Sequence, residues 1–387
     1  STFALLYCLQ PLMPVFSRDF HVGAAPSSLS LSVTTGVLAV AVLVTGSLSE
    51  AWGRKPMMVV SLFASAALTI MSALVTGWHG LLAVRAVEGL TFAGLPALAM
   101  AYLSEEMHAG SIGLAMGLYI SGTGLGGMGG RLLAAALTDV ASWRVALFTI
   151  GVLGVVAAVM FWRSLPPSAH FHRRALAWRT LFGSFAAHLR DARLVLLFVE
   201  GFLVMGGFVT IYNYISYRLV APPYDLSQTL VGSIFLVYLV GTVSSTWIGD
   251  LAGRKGRDRV LLATIAIMLG GVVVTLAHPL AIVILGLAVV TFGFFGAHSV
   301  ASSWVGLRAQ HGRAQASALY LFFYYLGSSI AGWAGGIFWS AWGWWGVAGF
   351  VGALLVIALL VALGLAAHVA ADAPPLRALD ASAYAEP

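Results

Sequence analysis

The chain has 387 residues, of which 60% are hydrophobic and only 9% are charged, and its formal net charge is +6. Soluble domains carry about a quarter charged residues, so this composition excludes an ordinary water-soluble domain. The basic residues are spread over loops and are not interleaved with aromatic residues that could stack on bases. We therefore expect no nucleic-acid partner.

The predicted elements, in chain order, are membrane-spanning helices. Charge-free stretches such as 57–77, 260–277 and 336–367 are close to or longer than the roughly 20 apolar residues that a helix needs to cross a bilayer. Barrel strands would be shorter and would alternate in hydropathy. We therefore predict an all-α membrane protein with twelve spans. They are placed near residues 1–17, 28–49, 57–77, 80–103, 111–135, 142–163, 194–217, 228–249, 260–277, 280–305, 312–337 and 341–367.

The basic residues are distributed unevenly between the two sides of these spans. Fifteen Lys and Arg residues follow even-numbered spans and three follow odd-numbered spans, while Arg85 and Arg131 lie inside spans. Because cytoplasmic loops are enriched in Lys and Arg, this distribution predicts that both termini are cytoplasmic.

The basic segment 164–193 divides the spans into two sets of six. We predict a six-helix bundle at 1–163, a cytoplasmic linker at 164–193, a second six-helix bundle at 194–367 and a cytoplasmic tail at 368–387. The two sets also repeat one another, since Glu50-Ala-Trp-Gly-Arg-Lys recurs 200 residues later as Asp250-Leu-Ala-Gly-Arg-Lys. Such duplication is typical of transporters whose halves move about a site near the middle of the membrane.

Three segments carry motifs, at 46–55, 81–89 and 122–130. The first resembles the signature between spans two and three of the major facilitator superfamily, the second its span-four motif, and the third the antiporter motif of its span five. Segments 4–11, 102–106 and 297–304 resemble the drug:proton antiporter branch, and within it the bacterial YnfM-like transporters that are often labelled arabinose-efflux-like. The resemblance implies the major facilitator fold, with two pseudo-symmetric six-helix halves.

The resemblance also implies a function. We expect a proton-coupled secondary active transporter in the bacterial inner membrane, exporting a small drug-like or sugar-like solute by antiport. Uptake by proton symport is the alternative, and a channel or a membrane enzyme is less favoured. The expected partners are the solute, protons and the lipid bilayer; we expect a monomer, and no cofactor, because the proton gradient would supply the energy.

One predicted set of residues forms a cytoplasmic latch after spans two and eight. Acidic side chains at the span ends would pair with arginines and cap neighbouring helix N-termini, which would hold one access state. The alternative is a solvated turn whose charges only orient the protein in the membrane. The gating candidates are Gly46, Glu50, Gly53, Arg54, Asp250, Gly253 and Arg254.

Charged residues inside spans are the candidates for proton coupling, because a charge in hydrocarbon normally faces the bundle interior and has a partner. Arg85 and Glu88 are three residues apart and share a helix face, and we expect Glu88 to pair with Arg85 or with Arg131. The resemblance links Arg85 to proton coupling, whereas a structural ion pair is the alternative. Asp139 is also a candidate, although a solvated loop acid explains it more simply.

Glu200 interrupts an apolar run about two turns into span seven. A lone carboxylate there should be protonated or partnered, because burial disfavours its charged form. His298 in span ten lies at a similar depth, so we predict that the two form a proton-carrying couple. A buried acid and a separately hydrogen-bonded histidine are the alternative.

Polar and aromatic side chains along the spans are the candidates for substrate contact. They suit a mostly apolar pocket with a few orienting hydrogen bonds, although packing between helices is the plainer explanation. The candidates are Tyr7, Gln10, Tyr212, Asn213, Tyr320 and Tyr324. No metal-binding cluster or P-loop is recognisable in the sequence.

Overall fold

A computed structural model describes residues 1–108, 111–166, 168 and 178–372, and within these ranges the chain forms helices joined by short turns, with no β-strand. Seven of these helices are long and apolar enough to cross a membrane by length and composition. The predicted all-α membrane fold is confirmed.

The helices of the first predicted bundle are α1 (Thr2–Tyr7), α2 (Met13–Asp19), α3 (Ala24–Trp52), α4 (Arg54–Leu74), α5 (Trp78–Phe92), α6 (Pro96–Glu106), α7 (Ile112–Val140) and α8 (Trp143–Ser164). The following helices are α9 (Trp178–Arg190), α10 (Ala192–Val220), α11 (Gln228–Ser233), α12 (Tyr238–Lys255), α13 (Arg257–Val274), α14 (Leu280–Arg308) and α15 (Arg313–Asp372), whose helical backbone is interrupted at Gly343 (φ 56°). Part of the predicted linker, at 167 and 169–177, and most of the predicted tail, at 373–387, lie outside the described residues.

Three of the predicted spans are broken helices. Span one consists of α1, a 3₁₀ turn at Gln10–Leu12 and α2, and span four consists of α5 and α6. Proline stands at the start of the 3₁₀ turn, of α2 and of α6, where its missing N–H is tolerated. Span eight is interrupted by a 3₁₀ segment at Ile234–Val237. Non-helical backbone is tolerated in a membrane where protein surrounds it.

The two duplicated loops turn at different glycines. Helix α3 ends at Gly53, whose φ is 105°, whereas α12 continues through Gly253 to Lys255 and the chain turns at Gly256, with φ 94°. A positive φ of this size strongly favours glycine. The sequence repeat pairs Gly53 with Gly253, whereas the structural counterpart of Gly53 at the turn is Gly256.

The two sets of spans touch along one end of the bundle. Ser329 donates to the Ser32 carbonyl (2.6 Å), and Ser17 and Tyr217 share a hydrogen bond of 2.7 Å. At the extreme of this end, Asp139 meets the start of α11. We call this the Asp139 end, and the opposite end, where Arg54 lies, the Arg54 end.

Replacing Gly256 by Ala should destabilise the protein by about 1–3 kcal/mol, because alanine is strained at its positive φ. Gly253→Ala is the matched control: Gly253 is helical and a Cβ there would meet no atom within 4 Å. We expect it to be neutral or stabilising by up to about 1 kcal/mol. A thiol-reactive dye in detergent reads out thermal unfolding, because Cys8 is the only cysteine and is buried. Equal midpoints for the two variants would contradict the assignment of the turn.

Candidate functional site

Arg85 and Glu88 form a fully buried ion pair on α5, with Arg85 Nη1 at 2.5 Å from Glu88 Oε2. Arg85 also donates Nε to the Ser30 carbonyl (3.1 Å) and Nη2 to the Leu6 carbonyl (3.0 Å). The other oxygen of Glu88 accepts a hydrogen bond of 2.5 Å from Thr69. Of the two partners predicted for Glu88, Arg85 is correct. Because both side chains are hydrogen-bonded to neighbouring spans, the arrangement favours a structural ion pair that ties spans one to four together.

Arg131 on α7 begins a hydrogen-bonded chain that crosses between the two sets of spans. Its Nε donates to Gln10 Oε1 and its Nη1 donates to the Gly127 carbonyl, both at 2.8 Å. Gln10 in turn donates Nε2 to Asn213 Oδ1 on α10 at 2.8 Å. The 3₁₀ turn that interrupts span one carries Gln10, so the break places an amide between α7 and α10.

Three aromatic rings surround the Arg131 guanidinium. Its central carbon lies 4.4 Å from the ring centroid of Tyr7, 4.8 Å from that of Tyr238 and 5.0 Å from that of Phe235. Tyr7 belongs to α1, whereas Phe235 and Tyr238 come from the interrupted span eight. Contacts of this kind stabilise a cation by about 0.5–2 kcal/mol each.

Glu200 on α10 is fully buried, and neither carboxylate oxygen has a hydrogen-bond partner among the described residues. His298 Nδ1 instead shares a hydrogen bond of 2.9 Å with the Tyr320 hydroxyl. Glu200 and His298 therefore share no direct hydrogen bond, and their role as a proton-carrying couple stays a prediction. Tyr320 lies next to both residues, because its ring packs on Gly201, the neighbour of Glu200, and its hydroxyl is hydrogen-bonded to His298.

Other tyrosines gather beside this group. Tyr324 packs beside His298, with ring centroids 4.7 Å apart and the ring planes tilted by 39°, and its ring centroid lies 6.3 Å from that of Tyr320. Among the described residues, the hydroxyls of Tyr7, Tyr238 and Tyr324 have no hydrogen-bond partner. These side chains come from both sets of spans. We call Arg131, Gln10, Tyr7, Tyr238, Tyr320, Tyr324, His298 and Glu200 the central cluster.

Two other predicted site residues lie elsewhere. Asp139 is exposed, as a solvated acid would be, but it lies in the last turn of α7, and its carboxylate accepts from the backbone N–H groups of Gln228 (3.0 Å) and Thr229 (2.7 Å) and so caps α11. Tyr212 is fully buried and hydrogen-bonded to Thr291 at 2.6 Å, within packed rings of the second set. Both contacts are structural in this arrangement.

The predicted latch is unequal in the two repeats. Arg54 donates Nη2 to Glu105 at 2.7 Å and Nη1 to Ser49 at 2.5 Å, whereas Glu50 makes no ion pair among the described residues. The Asp250–Arg254 pair, at 2.8 Å, is within one helix and its side chains are 57% and 75% exposed.

An exposed pair of this kind contributes little. Arg254 also lines an open groove of about 580 Å³ on α12, α13 and α14. Gly46 lies in α3 with open space around its Cβ position.

A family model described as Major Facilitator Superfamily matches residues 1–331 of the chain. The chain belongs to this superfamily. It is 51% identical over 359 residues to the uncharacterized MFS-type transporter YybF of Bacillus subtilis, covering 93% of the chain and 89% of that protein. It is 50% identical to the inner membrane transport protein YnfM of Escherichia coli, covering 93% of the chain and 87% of that protein.

Solved structures agree on the fold of this major facilitator. The crystal structure of a mutant of the nucleoside transporter NupG superposes with a TM-score of 0.74, covering 94% of this chain and 98% of NupG. Its sequence identity is 17%, so the likeness supports the fold alone.

Sequence reasoning missed several residues of the site in this major facilitator. Glu105 lies in segment 102–106, whose pattern indicates only the resemblance to the drug:proton antiporter branch. Phe235 and Tyr238 are uncharged, so nothing in the sequence marks them as neighbours of a buried arginine. Thr69 on α4 became relevant only through its hydrogen bond to Glu88. Each was found through a partner in another span.

Replacing Arg85 by Met should destabilise the major facilitator by about 3–5 kcal/mol, because it leaves the Glu88 carboxylate buried without its counter-ion. Adding Glu88→Met to that variant should recover most of the loss. Arg254→Met is the control, since the Asp250–Arg254 pair is exposed. The thermal unfolding midpoint in detergent is measured for all three variants. An unchanged midpoint for Arg85→Met would show that the Arg85–Glu88 pair is not structural.

Proposed function

We propose that this major facilitator is a proton-coupled secondary active transporter that exports a small drug-like or sugar-like solute by antiport. The observation that carries the proposal is Glu200, a fully buried carboxylic acid without a hydrogen-bond partner among the described residues. An acid in that setting is stable only in its neutral form or beside a cation. It can therefore exchange a proton when its surroundings change.

The position of Glu200 relates the proton to the solute. Tyr320 packs on Gly201 beside Glu200 and is hydrogen-bonded to His298, and the central cluster contains side chains from both sets of spans. Coupling requires protonation to change the relative stability of two conformations. Loss of the Glu200 proton would leave a buried negative charge. A second conformation of the two halves could expose this carboxylate to water or place a cation beside it.

The contacts between the halves support an alternating-access mechanism. Polar contacts join them toward the Asp139 end. In the orientation predicted by the basic residues, with both termini in the cytoplasm, these contacts lie on the outer side of the membrane.

The rest of the proposal follows from the family and the composition. The protein would reside in the inner membrane, act as a monomer and use the proton gradient without a cofactor or an enzymatic reaction. The runner-up function is nutrient uptake by proton symport with the same residues. The two differ in whether protons move opposite to the solute or with it.

Proteoliposomes with an internal pH indicator test the coupling and its direction. Arabinose, chloramphenicol and benzoate are offered in turn, and antiport moves protons opposite to the solute. We expect Glu200→Gln to abolish the proton flux while solute counterflow persists, because a neutral amide cannot release a proton. Asp225→Asn, at an exposed loop acid, is the matched control. Unchanged proton flux in Glu200→Gln would remove Glu200 from the mechanism, and protons moving with the solute would favour symport.

A further inference from the structure

Arg131 is a buried cation without an acidic partner. Arg131 is only 3% exposed. No carboxylate among the described residues lies within ion-pair distance of its guanidinium. Arg85, at comparable burial, pairs with Glu88. A buried charge normally has a counter-ion, because its desolvation is otherwise costly. The counter-ion of Arg131 is therefore missing from the described part of the chain.

The groups that contact Arg131 are neutral, so they do not balance its positive charge. The Gln10 and Gly127 oxygens accept from Nε and Nη1, and three ring faces lie against the guanidinium. These neutral contacts hold the side chain in position and offset part of its desolvation. Its Nη2 makes no hydrogen bond to any described residue, so one charged N–H₂ group remains available for a ligand.

The neighbouring unpaired groups are also donors. The hydroxyls of Tyr7 and Tyr238 belong to rings that touch the guanidinium, and neither has a hydrogen-bond partner among the described residues. A ligand that satisfies Nη2 and two hydroxyls must supply several acceptor oxygens. Carboxylates and phosphonates do so, and arginine binds both strongly through charge-assisted hydrogen bonds. The aromatic walls match a flat apolar body on the same ligand.

We propose that Arg131 binds the acidic group of the transported solute, and that the substrate is an organic anion with an apolar or aromatic body. This inference rests on the proposed transport function and specifies its substrate class. Arg131 comes from α7, and Tyr238 comes from α12 in the other set of spans. A bound anion would neutralise a charge at the junction of the halves, so occupancy would stabilise the state in which the two sets enclose it.

The experiment compares matched probes that differ in charge. Benzoate and phenylphosphonate are anions, and benzamide is a neutral relative of benzoate. Binding to the purified full chain in detergent is measured by calorimetry and by thermal shift. We expect benzoate and phenylphosphonate to bind the wild type saturably below about 10 mM and to bind at least about tenfold more tightly than benzamide.

Variants separate the charge of Arg131 from its packing. Arg131→Gln should weaken benzoate binding by about tenfold or more and leave benzamide unchanged, whereas Arg131→Lys should retain the preference for the anion. Arg163→Gln, at an exposed arginine in the last turn of α8, removes the same charge elsewhere and should not alter binding. If Arg131→Gln does not fold, the affinities of the wild type and of Arg131→Lys for benzoate and benzamide still test the proposal.

The proposal is overturned if benzoate does not bind the wild type up to about 10 mM, if benzamide binds equally well, or if Arg131→Gln keeps its benzoate affinity. Failure of the transport proposal would look different. Benzoate would then bind through Arg131 without counterflow or proton movement in proteoliposomes. Proton-coupled transport of neutral solutes alone would instead support the transport function and contradict the anion site.

Discussion

A charged side chain within a membrane protein must find its compensation inside the protein, because lipid offers none. Two buried guanidiniums show what this constraint does here. Arg85 is compensated by Glu88 and by carbonyls of spans one and two, so it joins neighbouring helices of one set. Arg131 is held by neutral groups from both sets, so it lies where relative movement of the halves would alter its surroundings. The surroundings of Arg85 suit a structural role within one half, and those of Arg131 suit a binding site between the halves.

The interrupted helices make both arrangements possible. An unbroken span one would use the Leu6 carbonyl within its own helix, whereas the end of α1 at Tyr7 leaves it to accept from Arg85. The same interruption places Gln10 between α7 and α10. In span eight, the 3₁₀ segment brings Phe235 and Tyr238 against one guanidinium. Each break has residues in the protein interior, such as Leu9, Ala93 and Phe235, where neighbouring groups can satisfy the freed backbone groups.

The two repeats have diverged in how they use the same charges. The Arg54–Glu105 pair joins α4 to α6 and its side chains are 11% and 32% exposed, whereas the Asp250–Arg254 pair stays within one helix and is largely exposed. The ion pair of the first repeat therefore links two spans, while that of the second contributes little to packing. A latch that depends on this charge pattern would act through the first repeat.

The sequence by itself determined the membrane class, the helical fold and the family, because these follow from composition, apolar run length and short local motifs. It also predicted the Arg85–Glu88 pair, since residues three apart on a helix are neighbours whatever the tertiary structure. Only the tertiary structure decided that Arg54 meets Glu105, that Asp139 caps α11 and that Glu200 makes no hydrogen bond to His298. Those outcomes depend on how distant spans pack and where their helices break, and neither periodicity nor charge pattern specifies the partner across a helix interface.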